Sequence, residues 1–162
     1  MSKIALSLTV NGEPRQLLAE PREQLADVLR RELMLTGTHV GCEHGVCGAC
    51  TVKLDGAIVR GCLTLAVQAD GAVVETIEGL SAAGALADLQ AAFHERNALQ
   101  CGYCTAGMLV TARDIVLRLP NADEARVREE LAGNLCRCTG YRGIVRAVLG
   151  VLEERRRAAA AD

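Results

Sequence analysis

Aromatic residues are almost missing from this chain. Phe93, Tyr103 and Tyr141 are the only ones among 162 residues, and tryptophan is absent. A core must therefore be assembled from Ala, Val, Leu and Ile, which suits short strands and compact helices. No apolar run approaches the roughly 18 residues that a membrane-spanning helix needs. No basic segment, apolar stretch and small-residue cleavage site opens the chain, and no twin arginine lies near its start, so the expected location is cytoplasmic. The formal net charge is only −2, and no basic stripe interleaves with aromatics, which gives no ground for nucleic-acid binding. A catalytic carboxylate pair, a nucleophile with its base and a phosphate-binding loop are also missing. Gly45-Val-Cys-Gly-Ala-Cys50 is not a dinucleotide fingerprint, because it does not open a helix after a strand in a βαβ unit.

What the chain does have is an apolar half and eight cysteines. Ile4, Leu6, Leu8 and Val10 alternate with polar or small residues, the period of a strand. Asn11-Gly12 follows as a hairpin signal, with Gln16 to Ala19 as the return strand. Leu25, Val28, Leu29 and Leu33 fall at helical spacing within Gln24 to Leu35, just after Pro21. A second hairpin pairs Thr51–Leu54 with Ala57–Arg60 around Asp55-Gly56, and Ala72 to Ile77 supplies a last strand. The pattern changes near Gly79 to Ala85. Helices are expected over Leu86–Asn97, Thr105–Leu119 (stopped by Pro120), Asn121 to about Ala132, and Ile144–Arg157. Four short helices with brief connections predict a bundle.

Cytoplasmic thiols stay reduced, so clustered cysteines point to metal rather than to a disulfide framework. Cys42, Cys47 and Cys50 are spaced C-x4-C-x2-C, and Cys62 follows after a hairpin. This is the plant-type 2Fe–2S spacing with a remote fourth ligand. Two sulfide-bridged irons need four thiolates converging on one point, and Gly41, Gly45 and Gly48 permit the tight wrapping. A structural zinc site is the competing reading. His39 and His44 read as loop surface, since four thiolates suffice. Cys101-Gly-Tyr-Cys104 and Cys136-Arg-Cys138 form a second quartet, for which zinc is a fairer rival on spacing alone.

Three stretches carry a family resemblance: Gly41-Cys-Glu-His-Gly-Val-Cys-Gly-Ala-Cys-Thr51, Gln100-Cys-Gly-Tyr-Cys-Thr-Ala-Gly-Met108 and Gly133-Asn-Leu-Cys-Arg-Cys-Thr-Gly-Tyr141. Over about residues 3 to 150 the chain resembles the iron–sulfur subunit of the xanthine oxidase family of molybdenum hydroxylases. The resemblance implies an α+β protein with an N-terminal β-grasp ferredoxin-like domain (residues 1–79) and a C-terminal four-helix-bundle domain (residues 80–162). It implies two 2Fe–2S clusters, one on Cys42, Cys47, Cys50 and Cys62, the other on Cys101, Cys104, Cys136 and Cys138. It further implies that Gln100 and Cys138 face a molybdenum–pterin cofactor on a large partner subunit, and that electrons leave through the ferredoxin cluster to FAD on a medium subunit, in a dimer of heterotrimers. One position departs from the family: Ala106 stands where proline is usual, at N1 if Thr105 caps the helix. Two other functions compete with an electron-relay subunit. A free two-cluster ferredoxin would gain from a stronger steering charge than this chain has, and a zinc-stabilised interaction module would be colourless.

Overall fold

The computed structural model describes residues 2–161. The alternating segment is strand β1 (Ile4–Val10), which buries Leu6, Leu8 and Val10 on one face. Asn11 (φ 53) and Gly12 (φ 84) are both left-handed, the backbone of a two-residue primed turn whose twist matches the strands it joins. The return strand β2 (Glu13–Ala19) pairs from Val10↔Glu13 to Ile4↔Ala19. It begins earlier than its apolar residues indicate, because the turn fixes pairing from its first residue. Pro14 is accommodated because β2 lies at the sheet edge, where a missing N–H breaks no ladder.

The second hairpin, β3 (Thr51–Leu54) and β4 (Ala57–Arg60), turns through Asp55 (φ 47) and Gly56 (φ 86). Strand β5 (Val73–Glu75) enters between the hairpins, parallel to β1 and antiparallel to β3, giving the order β2-β1-β5-β3-β4. Helix α1 (Leu25–Arg31) lays Leu25, Val28 and Leu29 on this mixed sheet. It stops short of Leu35. Met34 turns left-handed (φ 56) and the Leu35 N–H donates back to the Leu29 carbonyl, so Leu33 and Leu35 reach the core from a cap instead of a helical turn.

A helix absent from the sequence reading, α2 (Ile77–Ala82), joins sheet to bundle. Asn11 accepts from the Thr76 N–H at 2.8 Å and donates to the Thr76 hydroxyl at 3.0 Å. A Cβ at Gly79 would lie 2.2 Å from Asn11 Oδ1, so the helix can rest on the hairpin only through a glycine. The bundle follows as α3 (Ala87–Glu95), α4 (Thr105–Arg118), α5 (Glu124–Leu131) and α6 (Arg142–Ala159). Phe93, Met108, Ile115, Leu131 and Ile144 are among its fully buried side chains. Asp123, not Asn121, caps α5 by accepting from the Arg126 N–H. Helix α4 starts at Thr105 as expected, but its cap is Cys104 and not Thr105. Ala106 therefore sits at the second helical position, whose N–H is also free of an intrahelical acceptor.

Ion pairs fasten the bundle from outside. Arg155, near the end of α6, reaches Asp88 on α3 at 2.7 Å. Arg118 on α4 binds Glu130 on α5 at 2.5 Å and Asp114 at 3.0 Å, and Arg126 also pairs with Glu130. The hydrogen bond from Arg118 holds the Glu130 carboxyl below its ordinary pKa. A depressed folded-state pKa stabilises above the unfolded value, about 4.3 for glutamate, and that contribution fades as pH falls through the folded value. Glu130→Gln should cost about 0.5–1 kcal/mol at pH 7 in chemical denaturation, and the difference from the parent should shrink in acid.

Candidate metal centres

The first cysteine group is built on the loop between α1 and β3. The loop is anchored at its start, where the Gly37 N–H donates to Glu78 at 2.8 Å and Arg30 donates to the Thr36 and Thr38 carbonyls at 2.7 and 2.9 Å. It then wraps tightly, with Gly45 (φ 81) and Gly48 (φ 71) in conformations that favour glycine. Cys50 abuts β3 and Cys62 follows β4; both are buried. The Cys47 N–H points at Cys42 Sγ, 3.4 Å away. Backbone N–H groups of Cys47 and His44 lower the Cys42 thiol to about 6. Burial pushes Cys62 up to about 11, with Cys50 and Cys42 as close sulfur neighbours. The fold thus gathers all four cysteines of the first quartet.

The second group forms where α4 begins and where α5 gives way to α6. Cys101 and Cys138 place their sulfurs 3.5 Å apart. Burial, then donation of its own S–H to Cys136, pushes Cys104 up to about 12. Burial also raises Cys136, but donation from the Thr139 hydroxyl (3.2 Å to Sγ) and from the backbone outweighs it, and that thiol is lowered. Cys101 and Cys138 are exposed, as are Gln100, Leu99, Tyr103 and Leu135 beside them.

The two groups face one another across a polar seam centred on Asn134, which is 1% exposed. Its amide donates to the Gly48 carbonyl at 3.1 Å and to the Thr51 hydroxyl at 3.4 Å. Its oxygen accepts from Thr111 at 3.0 Å and from Arg60 at 3.3 Å. Arg60 also donates to the Gly133 carbonyl at 2.6 Å, and the Leu135 N–H donates to the Cys47 carbonyl at 2.8 Å. Tyr103, between Cys101 and Cys104 in the chain, stacks on His39 of the first cysteine loop with ring centroids 4.7 Å apart and donates to the Val40 carbonyl at 2.8 Å. The ring nitrogens of His39 and His44 are engaged with backbone oxygens of Tyr103 and Cys42. Sequence reasoning did not find Asn134 or Arg60. The motif Gly133-Asn-Leu-Cys136 contains Asn134, but nothing local tells that it reaches 86 residues back along the chain.

The donor sets suit thiolate-ligated iron. All eight cysteines are free, even those with adjacent sulfurs. N–H and O–H donors approach sulfur in both groups, and the buried Thr105 hydroxyl beside Cys104 has no protein partner. Such donors stabilise anionic sulfur.

Fold and sites together define a two-domain 2Fe–2S protein. Residues 8–81 match the family model for a 2Fe–2S iron-sulfur cluster binding domain, and residues 76–149 match that for a [2Fe-2S] binding domain. The caffeine dehydrogenase subunit gamma of Pseudomonas sp. (strain CBB1) is 52% identical over 154 residues, spanning 93% of this chain and 92% of the relative. The nicotine 6-hydroxylase small subunit of Paenarthrobacter nicotinovorans is 53% identical over 147 residues, 91% of this chain and 88% of its own. The crystal structure of quinoline 2-oxidoreductase from Pseudomonas putida 86 superposes with a TM-score of 0.87 at 50% identity, over 97% of this chain and 98% of that one. The chain belongs to the small iron–sulfur subunits of the xanthine oxidase family of dehydrogenases.

Two outcomes follow from the geometry. A Cβ at Gly107, on buried α4, would lie 2.2 Å from the Gly48 carbonyl oxygen. Gly107→Ala should therefore force the seam apart and cost about 1–3 kcal/mol in thermal unfolding. In cluster-free protein, backbone N–H donors hold the Cys42 thiol down at about 6, while burial pushes Cys62 and Cys104 up. At pH 7 iodoacetamide should label Cys42 ahead of Cys62 and Cys104, read by peptide mass spectrometry, with labelling slowing as pH falls below that value.

Proposed function

We propose that this chain is the electron-relay subunit of a molybdenum hydroxylase complex. Cys42, Cys47, Cys50 and Cys62 hold one 2Fe–2S cluster, and Cys101, Cys104, Cys136 and Cys138 hold the other. When bound, each cluster supplies a centre that accepts and releases one electron at a time. The domain division proposed with it is residues 1–79 and 80–162.

The observation that carries this reading is the pairing of two gathered cysteine quartets across one buried seam, with unequal exposure. Cys50 and Cys62 are shielded by protein, whereas Cys101 and Cys138 reach the surface beside exposed Leu99, Tyr103 and Leu135. An exposed apolar rim around sulfur is suited to being covered by a partner. That supports placing the large molybdenum–pterin subunit against the bundle, with Gln100 and Cys138 facing the pterin. The medium FAD subunit then takes electrons from the ferredoxin side, and the assembly is a cytoplasmic dimer of heterotrimers. Among the described residues no helix is long and apolar enough to cross a membrane. Relatives named for caffeine, nicotine and quinoline favour a nitrogen heterocycle as the substrate of the complex, bound by the large subunit.

Cys101→Ala tests the assignment. The variant should lose the bundle cluster, keep the ferredoxin cluster's electron paramagnetic resonance (EPR) signal, and abolish flavin reduction by substrate in the assembled complex. Undiminished flavin reduction in a variant that lacks the bundle signal would refute the relay.

A further inference from the structure

We propose that the Thr139 hydroxyl sets the reduction potential of the cluster held by Cys101, Cys104, Cys136 and Cys138, an inference that rests on the relay reading above. Thr139 Oγ1 lies 3.2 Å from Cys136 Sγ, and the Tyr141 N–H donates into the same oxygen at 3.2 Å. A hydroxyl has one proton and two lone pairs. With Tyr141 occupying a lone pair, the proton is left to the sulfur.

This arrangement is held on every side. The Tyr141 hydroxyl accepts from the Cys136 N–H at 2.8 Å and donates to the Asn134 carbonyl at 3.3 Å. Tyr141 itself adopts φ 66, an uncommon backbone for a side-chain-bearing residue and one that concentrates at functional sites. The first quartet treats its neighbouring threonine differently. Thr51, adjacent to Cys50, donates to the Gly48 carbonyl at 2.6 Å, and the donor at Cys42 Sγ is a backbone N–H. Among the described residues Thr139 is the only hydroxyl that donates to a cysteine sulfur.

A cluster held there would gain negative charge at sulfur on one-electron reduction. A donor to that sulfur strengthens on reduction and raises the potential. Thr139 therefore makes the bundle cluster a better electron acceptor than four thiolates alone would.

Potentiometric titration of the full cluster-loaded chain, followed by EPR, tests this with Thr139→Val, Thr139→Ala and Thr139→Ser. The valine and alanine variants should lower the midpoint of the bundle signal, serine should restore it, and the ferredoxin signal should stay in place. Both signals intact with an unmoved bundle midpoint in Val and Ala would overturn the proposal. Should those variants lose the cluster, deuteron ENDOR of the parent and the serine variant in heavy water decides. A strongly coupled exchangeable deuteron in both is expected, and its absence refutes the hydroxyl bond. A parent chain with one signal instead of two would end the relay reading itself, and this inference with it.

Discussion

The arrangement of this molecule depends on the buried amide of Asn134. Its nitrogen donates to Gly48 in the ferredoxin loop and to Thr51 at the start of β3, and its oxygen accepts from Thr111 on α4 and from Arg60 at the end of β4. A buried amide must be satisfied, since an unpaired polar group costs on the order of 1–3 kcal/mol. Only this docking of the two domains supplies all four partners. The seam allows no slack, because Gly48 and Gly107 leave no room for a Cβ between the domains. A relay needs such a joint, since electron transfer between two centres is sensitive to their separation. The Leu135 N–H bond to the Cys47 carbonyl binds the two cysteine loops directly.

The two cysteine groups differ in environment although both contain four thiols. Cys50 and Cys62 sit inside protein, while Cys101 and Cys138 are at the surface. In a lone ferredoxin an exposed cluster edge would invite water and oxidant. In a subunit, such an exposed edge is suited to being covered by a partner. The relatives named as subunits of dehydrogenases and hydroxylases fit that logic, and the modest net charge of −2 suits a part held in an assembly better than a diffusing carrier.

Much of this was legible in the residues, for identifiable reasons. Hairpin turns announce themselves through Asn11-Gly12 and Asp55-Gly56 because left-handed φ restricts residue choice. The bundle helices follow from apolar period and from Pro120. Cysteine spacing carries the site because a cluster needs four sulfurs from a short loop and one remote element. What escaped was non-local. Helix α2 contains Gly79, which lowers helix propensity, and exists because that glycine fits against Asn11. The apolar residues Leu33 and Leu35 looked helical but pack from a left-handed cap at Met34. Asn134 stands in the third cysteine motif and Arg60 two residues before Cys62, but their partners are far away in sequence and are met only when the domains dock. Thr139 was visible within the third motif, yet its direction toward Cys136 depends on the backbone of Tyr141.

The most direct measurement of the central claim is low-temperature EPR of the dithionite-reduced protein, with iron and acid-labile sulfide counted per chain. Two distinct spin-half signals with about four irons and four sulfides per chain are the expected result. A single signal, or zinc in place of half the iron, would contradict it and leave the helical domain as an interaction module beside a simple ferredoxin.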